Sequence, residues 1–158
     1  SASAATTYLR PNADLTATGS WAVVGAPTAW QALDDSVTPT VTPSGTDYIA
    51  SSGASGYATV GLKTMALAGA TGVQMTAWVY VANANETIVD VLKANSGGAR
   101  VARAYVTAPG WNPIPLEEPL KQPDLDTAVL RIRSVLSQPQ QVLAAFLAVS
   151  YTPATRKV

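Results

Sequence analysis

Residues 73–83, VQMTAWVYVAN, alternate almost without fault. Val73, Met75, Ala77, Val79 and Val81 point one way, and Gln74, Thr76, Trp78, Tyr80 and Ala82 the other. A period of two over this length is the mark of a half-buried β-strand, and an amphipathic helix cannot use it. Shorter runs of the same kind recur at 16–24 (broken at Gly19), 47–51, 57–65, 87–93, 100–108 and 128–136. Turn-forming stretches separate them: SGASG at 52–56, MALAGATG at 65–72 and ANSGG at 94–98. The runs flanking ANSGG read as a hairpin. In 128–136, Leu130 and Ile132 oppose Arg131 and Arg133. About eight to ten short antiparallel strands in one domain predict an all-β fold, a β-sandwich or jelly roll. One short helix is expected at 27–35, PTAWQALDD, where Thr28 and Gln31 have capping-box spacing. No repeat is visible.

Other segments are less regular. Residues 1–7 are small and polar and read as a flexible N-terminal arm, which leaves 8–151 as the single domain and 152–158 as a polar, basic tail. YLRPNAD (8–14) reads as extended up to Pro11, with turn chemistry at Asn12 to Asp14. Residues 36–46, with Pro39 and Pro43, read as a loop or irregular edge. Residues 109–124 hold five of the eleven prolines and read as a long Pro-rich loop. The stretch 140–151 fits both a helical spacing and a strand; FLAVSY and the turn at Pro139 favour the strand.

Composition then limits the chemistry. The 158 residues include no Cys and no His, so there is no disulfide framework, no thiolate or imidazole metal site and no Ser-His-Asp triad. Ten basic and ten acidic residues give a net charge of zero, which argues against a nucleic-acid surface. Charged residues make up 13%, about half the ~25% of an ordinary domain. The longest apolar run, Val142 to Val149, falls far short of the ~20 residues of a membrane helix, so no membrane partner is expected. No signal-peptide pattern opens the chain, and Ser1 fits removal of an initiator Met from a product made in the cytoplasm. The expectation is a protein without cofactor and without enzymatic activity.

Each candidate site also fits a plainer role. Asp34, Asp35 and Asp47 could supply oxygen ligands to Ca²⁺, but no Ca²⁺-loop spacing accompanies them; they also fit a helix end and a strand start. Glu117 and Glu118 with Asp124 or Asp126 fit a solvated loop better than a glycosidase pair. Arg100, Arg103, Arg131 and Arg133 read as a polar outer sheet face with Asp90 or Glu86 as partners, or as a protein interface. Arg100 and Arg103 fall on opposite sides of their strand. Trp78 and Tyr80 share the non-core face of the most regular strand. They lie under a loop, in a subunit interface, or against a sugar, and Trp111 divides the same way. Trp21 and Trp30 fit the core.

The order of several motifs resembles β-sandwich proteins of tailed-bacteriophage virions. YLRPNAD (8–14) leads into a strand with Gly19 and Trp21; ALDD (32–35), DYI (47–49), LRIR (130–133) and a terminal V-x-Y (149–151) follow. The chain departs from that pattern in its Ser/Thr/Pro-rich stretch between Asp35 and Asp47 and in its long 109–124 segment. The resemblance implies a structural role, most like a capsid decoration protein that stabilises the head by binding the major capsid protein lattice as a homotrimer on the virion surface. The alternatives are a minor tail or fibre protein, or a carbohydrate-binding module for which glycan is the partner. The interface residues expected on this reading are Tyr8, Leu9, Arg10, Trp78, Tyr80, Trp111, Arg131, Arg133, Arg156 and Lys157.

Overall fold

A computed structural model describes residues 3–17, 21–93 and 98–154. Two antiparallel sheets face each other. The strands are β1 (Ala5–Leu9), β2 (Pro11–Ala17), β3 (Trp21–Val24), β4 (Tyr48–Ser51), β5 (Gly56–Leu62), β6 (Thr71–Val81), β7 (Thr87–Leu92), β8 (Arg100–Val106), β9 (Gly110–Pro115), β10 (Val129–Ser134) and β11 (Gln140–Thr152); the helices are α1 (Ala29–Leu33) and α2 (Gln122–Leu125). One sheet runs β3-β4-β11-β6-β9, with β1 also on β11; the other runs β2-β5-β10-β7-β8. Strands β4 to β11 are divided between the sheets in the order of a jelly roll, 4-11-6-9 against 5-10-7-8. The expected all-β sandwich is what the chain forms.

The period-two runs decide which side chains fill the space between the sheets. Met75, Ala77, Val79 and Val81 of β6 meet Ala145, Leu147 and Val149 of β11, and Val60, Val89, Val91, Leu130 and Ile132 come from the facing sheet. Helix α1 adds Ala29, Ala32 and Leu33 to this core. Its N-terminus is satisfied twice over. The Thr28 hydroxyl accepts from the Gln31 N–H, and the Asp14 carboxylate accepts from the N–H groups of Ala29 and Trp30, at 3.3 and 2.8 Å. Of the capping box expected at Thr28 and Gln31 the Thr28 half is present; the Gln31 side chain accepts from the Thr28 hydroxyl at 2.8 Å instead of from its N–H.

Three readings of the sequence need correction. Residues 5–7, assigned to a flexible arm, belong to β1, which pairs in unbroken register with β11 from Ala5↔Tyr151 to Leu9↔Leu147. Leu9 is the reason: it is buried in the core and anchors the strand. Asn12 to Asp14 form no turn but lie in β2, where two register irregularities against β5 absorb the awkward residues. The 109–124 segment is not a loop throughout, since it contains β9 and α2. Strand β9 tolerates its prolines because it is an edge. The Leu116 N–H bonds Met75 carbonyl, so residues of the same parity face β6 while Pro113 and Pro115 point away, where no donor is needed. The stretch 140–151 is strand, as its C-terminal half suggested. It looked ambiguous because every residue from Val142 to Val149 is buried, on both faces.

The Thr87 hydroxyl is fully buried in β7 and finds no hydrogen-bond partner among the described residues. Thr87→Val keeps the shape and removes that stranded polar group. It is expected to raise the unfolding free energy by about 1 kcal/mol, read from urea denaturation at constant m.

Candidate interaction surfaces

The expected interface residues divide between the outer faces of two different sheets. On the first sheet, β11 sends Phe146 outward between Ala144 and Ala148, and these small neighbours leave room for large rings from adjoining strands. Tyr8 of β1 meets Phe146 edge-on at 5.2 Å between ring centroids, and Trp111 of β9 meets it at 5.4 Å. Tyr80 of β6 packs edge-on against Trp111 at 5.4 Å. The Arg10 guanidinium lies 4.9 Å from the Phe146 ring centre and 5.4 Å from that of Tyr8. Phe146 is wholly buried although it faces away from the sandwich core.

The 36–46 segment crosses this aromatic face. The Trp111 indole N–H donates to the Val41 carbonyl at 2.8 Å, and Arg10 donates to the Asp35 carbonyl. The Asp35 carboxylate accepts from the Ser44 N–H at 2.9 Å and pins the loop upon itself. Of the three positions open to these aromatics, Trp111 takes loop cover. Trp78 is half-buried and borders a shallow cleft of about 260 Å³ with Tyr8, Pro39 and Gln74. Burial lowers the pKa of Arg10, against the pull of Tyr8, Asp34 and Asp35. Burial and the neighbouring Asp47 raise that of Asp35. Among the described residues, no three acidic side chains are grouped so as to hold a metal ion.

The outer face of the second sheet is organised around one carboxylate. Asp90, in the middle of β7, is fully buried, and the register sets Arg131 of β10 on one side of it and Arg103 of β8 on the other. Arg103 Nε donates to Oδ1 at 2.6 Å and Arg131 Nη2 to Oδ2 at 2.8 Å, each with a second bond to the same carboxylate. Burial works to raise the pKa of Asp90; the two guanidiniums outweigh it and hold the carboxyl below the ordinary carboxylate range. Asp90 in turn holds Arg103 protonated, with its pKa raised. The next row across the sheet is Tyr57, Arg133, Ile88 and Tyr105. A register shift in β8 sets Arg100 opposite Leu92, so Arg100 joins Arg103 on the outer face instead of opposing it.

Tyr8, Arg10, Tyr80 and Trp111 thus come together, with Trp78 beside them. Arg131 and Arg133 lie on the far side of the sandwich, Leu9 is a core residue, and Arg156 and Lys157 lie outside the described residues. Two central residues had no site role in the sequence reading. Phe146 was hidden in the ambiguous segment. Asp90 was named only as a possible partner, although an Asp inside the apolar run TIVDVLK is a signal in itself.

No family model matches the chain, and no curated protein does. Several solved structures are distantly similar, among them two named proteins. One is the enzymatically active domain of tailspike protein 4 of bacteriophage CBA120, at 12% identity and TM-score 0.47 over 91% of this chain and 19% of that one. The other is a Stig cyclase from Fischerella sp. TAU, at 11% identity and TM-score 0.47 over 98% of this chain and 77% of that one. The chain spans about one fifth of the tailspike structure. One expectation is corrected here. The sequence reading excluded enzymatic activity, but both similar structures are described as catalytic proteins, and the exclusion is withdrawn. No helix among the described residues is long and apolar enough to cross a membrane.

Proposed function

We propose that this chain is a structural protein of a tailed-bacteriophage virion that decorates the capsid surface as a homo-oligomer on the major capsid protein lattice. The observation that carries this reading is where the motifs of the resemblance fall. YLRPNAD spans the crossing from β1 to β2, and Trp21 opens β3. ALDD closes α1, DYI opens β4, LRIR is the middle of β10 and V-x-Y ends β11. These are framework positions of the jelly roll, in chain order, and a shared framework is what such an order of motifs encodes. The charge-poor composition gives further support, because interface cores are depleted in Lys, Glu and Asp. The glycan alternative has less behind it. Tyr80 and Trp111 meet edge-to-face, and Trp111 is tied to the loop above it, so the expected aromatics do not form an open stacking platform.

Purified protein mixed with undecorated capsids of the source virus should sediment with them and raise the temperature at which they release DNA. Capsids that neither bind it nor gain heat resistance would refute the decoration role. Electron-microscopic density for this chain at the tail would move it to the tail or fibre alternative.

A further inference from the structure

The four strands that border the two sheets are β2, β3, β8 and β9, and β1 adds a further free flank. Most of these edges are blunted. Strand β9 turns Pro113 and Pro115 outward, β2 carries Pro11 and two register irregularities, and β3 and β1 are four and five residues long. Strand β8 is the longest of these edges without proline: seven residues, RVARAYV, paired with β7 alone among the described strands, with its one register shift at its start, between Arg100 and Ala102. Alternate residues of such an edge present N–H and C=O groups with no strand to take them.

The surroundings of β8 differ on its two faces. Toward the interior, the gap between β8 and β9 opens as a cleft of about 560 Å³. Val101 to Ala104, Arg103 among them, line one wall, and Pro113 to Glu117 the other, most of them apolar. Toward the outside lie Arg100 and Arg103 of β8 itself, with Asp90 of β7 setting one negative charge beside Arg103; Arg131 and Arg133 lie on β10, two strands away. Arg100 and Arg133 form no ion pair with a described residue. Tyr105, 59% exposed, sits at the end of the row.

We propose that the β8 edge is a docking site for an extended segment of a partner protein, which joins the second sheet as an added strand. Side chains of an added strand alternate between faces. On one face they would enter a cleft walled by alanine, isoleucine, leucine and proline, which takes apolar groups. On the other they would lie beside Arg100, which has no ion pair with a described residue, and Arg103, which shares Asp90, so that face takes carboxylates. The occupant is therefore a segment alternating acidic and apolar residues. Asp90 contributes by fixing the plane of the Arg103 guanidinium in advance, so less side-chain freedom is lost on docking. This inference does not depend on the capsid reading.

The probe is an end-capped heptapeptide of alternating Glu and Val, labelled for fluorescence anisotropy and titrated against the full chain. It should bind, weaken at least tenfold between 50 and 300 mM salt (about the span over which surface charges become screened), and slow amide hydrogen exchange in β8. N-methylation of alternate peptide residues should cost at least tenfold, because it removes the edge hydrogen bonds. Arg100→Glu, an exposed change whose fold is checked by circular dichroism, should weaken binding several-fold. Absence of binding overturns the proposal. So does undiminished binding of the N-methylated peptide, protection confined to another strand, or protection of β8 by a sulfated oligosaccharide and not by the peptide.

Discussion

Phe146→Ala is expected to cost about 3–5 kcal/mol of unfolding free energy, the usual range for emptying a well-packed aromatic site. In a chain of this length that lowers the melting temperature by on the order of 10 °C. The size follows from where the ring sits. Phe146 is on the outer face of its sheet, yet Tyr8, Trp111 and Arg10 all contact it and bury it completely. Its loss leaves a cavity between three strands, and rings tied into a sheet and a loop cannot collapse into it. Trp111 should report the change directly, with emission shifted to the red as water reaches its indole. A loss below 1 kcal/mol, with Trp111 emission unchanged, would mean that the aromatic face is a loose cover and not a second core.

Asp90→Asn should cost about 2–3 kcal/mol at neutral pH. Removing the acid from a buried ion pair is worth more than this, but both arginines retain contact with water, which reduces the penalty. The pH dependence identifies the cause. The folded-state pKa of Asp90 is lowered relative to the unfolded chain. Its stabilisation is then fully present above the unfolded value, near 4, and is lost as pH falls through the lower folded value. The stability difference between the parent and Asp90→Asn should be constant from pH 8 to about 5 and shrink below about 4. Asp34 and Asp35, whose pKa values burial raises, act in the opposite sense but are common to both proteins and cancel in the difference. A difference that stays flat down to pH 2 would contradict the ion-pair explanation. The simultaneous change of Asp90, Arg103 and Arg131 to apolar residues should cost far less than Asp90→Asn, since no charge is left stranded.

These two residues also show how far the sequence could be read. Where a strand buries one face, alternation is a direct record of the core, and Met75, Ala77, Val79 and Val81 were legible for that reason. Phe146 was not, because β11 is covered on both faces and two-sided burial erases the alternation. The prolines of 109–124 misled in a similar way: they exclude a central strand, not an edge, and position within a sheet is set by partners far away in the chain. Asp90 needed register as well. Only the pairing of β7 with both β8 and β10 shows that residues 13 and 41 positions further along the chain converge on it. The bulge that turns Arg100 toward Arg103 left no mark that a strict period of two could reveal.

The pairing of β1 with β11 has a mechanical consequence. Ala5 lies opposite Tyr151 and Leu9 opposite Leu147, so the first and last described strands leave the domain side by side. Tension drawing those two ends apart would load the ladder one rung at a time, from Ala5 inward, and would peel β1 away before the rest of the sheet carried any force. Attachment through one end alone, or through the opposite rim of the sandwich, would spare that seam. On the proposed decoration role, the grip that best withstands load is one made somewhere other than through both of these neighbouring ends.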